Sequence, residues 1–166
     1  MANLKKIQKR KTKEKLKNRR KLLIDGAPGN YAVVFDDLGA NQILKTFIRR
    51  ISKGTTNPVS VFYVNLGKER YNVPVATYPI FMTKHTKSPI VCTSALSASF
   101  VNGKRFLYVW YPEFIFTKPM DSMWYNNDIK FIARTNDIAK LIKTEIGREI
   151  VGVSDNWDIE KFLGVM

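Results

Sequence analysis

Residues 90–111, IVCTSALSASFVNGKRFLYVWY, decide how the chain is to be folded on paper. Two runs rich in β-branched and aromatic residues, Ile90–Phe100 and Lys104–Tyr111, flank the dipeptide Asn102-Gly103. Both turn residues accept positive φ, which favours a two-residue type I′ hairpin and makes the runs neighbouring antiparallel strands. Working outward, Val59–Asn65, Val75–Thr83, Phe114–Thr117 and Ile129–Ala133 carry the same composition and are further strand candidates.

Before them, Tyr31–Phe35 reads as a short buried strand, and Asp36-Asp37-Leu38-Gly39 turns the chain. Leu44, Phe47, Ile48 and Ile51 then fall at i, i+3, i+4 and i+7, the spacing of an amphipathic helix over roughly 40–52. Past the strands, Thr135 or Asn136 can cap a helix with Ile138, Leu141, Ile142 and Ile146 on one side, and Asp155–Leu163 is a short closing helix. The strands are grouped rather than alternating with helices. That order predicts an α+β fold with a mostly antiparallel sheet, or a small, partly open barrel of the oligonucleotide-binding kind, with flanking helices.

Charge divides the chain in two. Residues 1–24 hold eleven basic groups, Lys5, Lys6, Lys9, Arg10, Lys11, Lys13, Lys15, Lys17, Arg19, Arg20 and Lys21, opposed by Glu14 alone, a net of +10. The whole chain carries +14, so the other 142 residues contribute only +4. Leu4, Ile7, Leu16, Leu22 and Leu23 make no continuous apolar stripe, so the segment reads as a flexible basic arm that becomes helical when phosphates neutralise it. The breaker cluster Asp25-Gly26-Ala27-Pro28-Gly29 separates the arm, 1–24, from one globular domain, 25–166.

An excess of cations points to a polyanion. The arm has no aromatic residue to seat it in a lipid interface, and no apolar run reaches the roughly 18–20 residues of a membrane span. Nucleic acid is therefore the expected partner, without a membrane. No apolar stretch with a cleavage site follows the basic start, so the expected location is cytoplasmic, the host cytoplasm if the protein is viral.

Strand parity groups Phe106, Tyr108 and Trp110 on one face of Lys104–Tyr111. Three rings in a row form either a stacking platform for unpaired bases, contributing about 1–3 kcal/mol per base, or the core side of the sheet. Lys104 and Arg105 at the turn, with Lys84 and Lys87 before Ile90 and Arg49 and Arg50 on the first helix, are candidate phosphate contacts beside the arm. Lys45 and Lys53 extend that helix's basic face, and Tyr63, Tyr71, Tyr78, Trp124 and Tyr125 are further aromatic candidates on strands or loops.

Chemistry is sparsely provided. One cysteine, Cys92, excludes a disulfide framework, and one histidine, His85, removes most triad and metal arrangements. Asp36 and Asp37 would hold a metal only with Asp121 or Asp128 brought in from elsewhere, and adjacent acids after a strand are read as turn formers. No glycine-rich phosphate loop is present, so neither an enzyme nor a cofactor is expected.

In layout, with a cationic arm and an aromatic strand beside basic turns, the chain resembles a small bacteriophage-type single-stranded DNA-binding protein. That resemblance implies coating of single strands during DNA replication. The function expected is non-enzymatic binding of nucleic acid, single-stranded DNA before RNA, with self-association possible. The alternative is a virion or nucleoprotein component whose arm contacts the packaged genome.

Overall fold

A computed structural model describes residues 13, 14, 17, 30–39, 41–54, 58–67, 71–112 and 122–164. β1 (Tyr31–Asp37) is an interior strand of its sheet, and its first five residues are all buried, as happens when a strand is covered on both faces. α1 (Gln42–Ser52) follows, capped by the Asn41 side chain, whose Oδ1 accepts the Leu44 N–H at 2.8 Å. Then come β2 (Val59–Asn65), β3 (Thr77–Pro79), a 3-10 helix (Ile80–His85), β4 (Ile90–Cys92) and α2 (Ala95–Ser99). β5 (Arg105–Val109), β6 (Ile129–Ala133), α3 (Asn136–Leu141) with a π turn over Ile142–Ile146, β7 (Ile150–Val153) and α4 (Glu160–Leu163) complete the order.

The seven strands form one sheet in the order β3-β2-β1-β4-β5-β6-β7, and every neighbouring pair is parallel. This overturns the expected antiparallel sheet or barrel. The error lies in residues 90–111. Of the run Ile90–Phe100 only Ile90–Cys92 is strand; Ser94 then caps α2 through a reciprocal pair, its Oγ accepting the Ser97 N–H at 2.9 Å while Ser97 Oγ accepts the Ser94 N–H at 3.1 Å. Asn102-Gly103 does turn the chain, with Gly103 at φ +80°, but it joins a helix to a strand. β4 and β5 then run side by side in the same direction, with Val91 opposite Phe106.

Two apolar layers cover the sheet. Val33, Phe35, Val61, Phe106, Tyr108 and Trp110 face α1, through Leu44 and Phe47, and α4, through Leu163. Ala32, Val34, Cys92, Leu107, Phe131 and Ala133 face α2 and α3, through Ala95, Ala98, Ile138 and Ile142. The chain leaves β1 for β2 and β3 with its crossovers on the first face, and runs from β4 to β7 with its crossovers on the second. Parallel crossovers are right-handed, so reversing direction across the sheet obliges the chain to change face. The result is a doubly wound α/β domain with its switch point between β1 and β4.

Several expected elements have their proposed bounds adjusted. Val75–Thr83 divides into β3 and the 3-10 helix, and Asp155–Leu163 shortens to α4. β7 was not anticipated. Phe114–Thr117 and the breaker cluster 25–29 lie outside the described residues.

Candidate nucleic-acid interface

The expected stacking platform is core. Phe106, Tyr108 and Trp110 do share a face, but they are 8%, 0% and 2% exposed. Trp157, fully buried, fills the space in front of them, with its ring 4.8 Å from Tyr108 and 6.1 Å from Trp110. The Arg134 guanidinium covers Trp110 at 4.5 Å, and the Tyr108 hydroxyl donates to the Ser154 carbonyl. Burial pushes the Tyr108 phenol up to about 12. No base reaches these rings while the domain is folded.

Arg105 is likewise corrected. It is only 5% exposed, and its guanidinium donates to the Gly103 carbonyl at 2.8 Å and contacts Met123 Sδ at 3.7 Å. A buried cation tied to a backbone carbonyl holds the turn rather than a phosphate. Cys92 is a core residue, its thiol pushed up to about 12 by burial and therefore unreactive at neutral pH.

Of the remaining candidates, Lys87, Lys104, Arg49 and Arg50 lie toward one edge of the sheet. In a parallel sheet every strand starts at the same edge. The arm enters β1 there, Lys87 precedes β4, Lys104 precedes β5, and the end of α1 that leads to β2 carries Arg49, Arg50 and Lys53. Lys84, Lys87, Lys104, Arg49 and Lys53 are exposed, and Arg50 is half-buried. Within the arm, Lys13 and Lys17 are helical and exposed; Lys5, Lys6, Lys9, Arg10, Lys11, Lys15, Arg19, Arg20 and Lys21 lie outside the described residues.

α1 itself presents a cationic ridge. Lys45, Arg49 and Lys53 follow at i, i+4 and i+8 and span about 12 Å of helix axis. Arg49, Arg50, Lys53 and Thr46 border a surface depression of about 430 Å³ whose far wall is Asn156 and Asp158. Arg50 contacts the Asp158 carboxylate at 3.4 Å, so one of the three cations is partly neutralised. Placing Arg49 and Arg50 in the last turn of α1 also suits the negative end of the helix dipole.

At the opposite edge two acids end β1. At the switch point Asp36 Oδ1 accepts the Ser94 hydroxyl at 2.5 Å, while Asp37 Oδ1 accepts the Gly39 N–H at 2.7 Å and contacts the Asn41 amide at 3.5 Å. Asp37 is thus a turn former, as expected. Asp128 lies just before β6, at the other edge from Asp36, so the two do not form a shared metal site. Among the described residues no group of three His, Cys, Asp or Glu side chains is placed to hold a metal ion. Nor is any described helix long and apolar enough to cross a membrane.

The fold defines the chain as a doubly wound parallel α/β protein, with Lys87 and Lys104 among the residues at its strand-entry edge. Comparison with protein families, curated proteins and solved structures finds no match to it.

Proposed function

We propose that the protein is a non-enzymatic nucleic-acid-binding protein that grips the phosphate backbone with its arm and its strand-entry edge. The observation that carries this function is that Lys87 and Lys104, just before β4 and β5, and Arg49, Arg50 and Lys53, at the end of α1 that leads to β2, all lie toward the strand-entry edge, where the +10 arm precedes β1 in sequence. Phosphates are attracted to such a surface whatever their base sequence, and each one engaged releases a counterion.

The test is fluorescence anisotropy with labelled single- and double-stranded DNA and RNA of matched length at two or more salt concentrations. Affinity should fall linearly with salt on a log–log plot. Deleting residues 1–21 should reduce the single-strand slope by about four units if the arm engages about six phosphates. Failure to bind any oligomer in dilute buffer would end the proposal, and an unchanged slope would remove the arm from it.

A further inference from the structure

We propose that Tyr71 is a stacking site for one unpaired nucleobase, placed at the end of the α1 ridge. This inference rests on the nucleic-acid function above and gives it a preference for single strands. Tyr71 lies in the loop between β2 and β3, and its side chain is 39% exposed. The loop is fixed where it matters: the Tyr71 N–H donates to the Leu38 carbonyl at 2.8 Å, which holds the ring beside the turn that starts α1.

Two further observations separate Tyr71 from exposed rings such as Phe81, Phe100, Tyr111 and Tyr125. The Lys45 ammonium lies over the Tyr71 ring, 5.7 Å from its centroid, so a base would stack on the face that Lys45 does not cover, with the cation beside it for the phosphate. Tyr71, Asn72, Val73 and Thr77 also line an open surface depression of about 440 Å³. Asn72 brings an amide with both donor and acceptor to that depression, the complement of a base edge. A strand whose phosphates follow Lys53, Arg49 and Lys45 therefore delivers its next base to the Tyr71 ring. A duplex keeps its bases stacked inside and cannot do so without flipping one out.

The test uses the full chain and labelled 12-mers, single-stranded and duplex, with Tyr71→Ala, Tyr71→Leu and Tyr71→Phe compared by anisotropy. Removing the ring in Tyr71→Ala and Tyr71→Leu should weaken single-strand binding about 5- to 150-fold, leave duplex binding within about twofold and leave the salt slope unchanged. Tyr71→Phe should retain single-strand binding. Single-strand affinity that survives loss of the ring, in a wild-type protein that does bind, overturns the stacking site while leaving the phosphate grip standing. Equal losses on single strand and duplex overturn it too, since stacking distinguishes them. A free nucleoside monophosphate that competes as well as the 12-mer would overturn the strand-bound form of the site in favour of a mononucleotide pocket. Absence of any binding by wild-type protein refutes the phosphate grip first, and the two failures are thereby told apart.

Discussion

Trp157 offers the sharpest test of how this domain is held together. Its indole is completely buried and touches Phe35 at 5.8 Å, Phe47 at 5.0 Å, Tyr108 at 4.8 Å and Trp110 at 6.1 Å, joining α1 to the sheet. Its backbone is also left-handed, with φ +62°, which an L-residue adopts at a cost of about 1–2 kcal/mol. Truncating such a side chain to alanine should destabilise the protein by about 3–5 kcal/mol. Glycine normally does worse than alanine by about 0.5–1 kcal/mol, but at a positive φ it releases the strain. Trp157→Gly should therefore be no less stable than Trp157→Ala, a reversal of the usual order. Trp157→Phe should lose least, because the indole Nε1 has no hydrogen-bond partner among the described residues. Urea denaturation followed by far-UV circular dichroism measures all three. With m of about 2 kcal/mol/M, the alanine midpoint should fall by roughly 1.5–2.5 M. A loss below about 1 kcal/mol for Trp157→Ala, or a glycine variant clearly weaker than alanine, would refute the packing argument or the strain argument respectively.

Trp110→Ala should likewise cost about 3–5 kcal/mol, while nucleic-acid affinity measured on the folded fraction stays within about twofold, since the ring is core. Ser94→Ala removes both the α2 cap and the hydroxyl bound to Asp36, so a loss of about 1–2 kcal/mol in a denaturation midpoint is expected. Raising pH should destabilise the fold through Tyr31, Tyr108 and Cys92, all shifted upward by burial. The folded state holds these protons more tightly than the unfolded chain, so stability is complete below about pH 8 and then falls, first through Cys92 and next through the two phenols, by about 1.4 kcal/mol per pH unit per group, until the folded Cys92 and Tyr108 titrate near 12. A melting temperature flat from pH 8 to 11 would contradict that. Cys92 should resist a thiol reagent at pH 8 until urea unfolds the protein.

Local structure was more legible in this chain than direction. The Leu44-Phe47-Ile48-Ile51 stripe locates α1, and of the two cap candidates, Thr135 and Asn136, it is Thr135 whose Oγ1 accepts the Ile138 N–H, at 3.3 Å. The unbroken run Tyr31–Phe35 was recognised as buried, yet burial on both faces is itself the mark of an interior parallel strand. At Asn102-Gly103 the turn was real, but turn chemistry does not say what precedes it. The deciding signal was Ser94 with Ser97, a capping pair lacking the usual acidic partner and embedded among residues that also suit a strand. β7 escaped notice because it is four residues long and contains Gly152, where a Cβ would lie 2.2 Å from Phe162 Cε1, so close packing required the one residue that weakens a strand pattern. Burial of Arg105 had no sequence signature, because its partner is a backbone carbonyl.

Losing the aromatic strand to the core changes what the proposed function can rest on. Phosphate contacts from the arm, α1 and the strand-entry loops are blind to base identity, and by themselves they favour whichever polyanion is densest in charge. A duplex carries one charge per about 1.7 Å of axis against about 3.4 Å per strand, so charge alone predicts binding of duplex at least as tight as of single strand. Any preference for single strands must then come from an exposed ring, and Tyr71 is the one seated beside a lysine at the end of the cationic ridge. The ratio of single-strand to duplex affinity therefore separates the two contributions: the cations set the salt slope, and the ring sets the ratio.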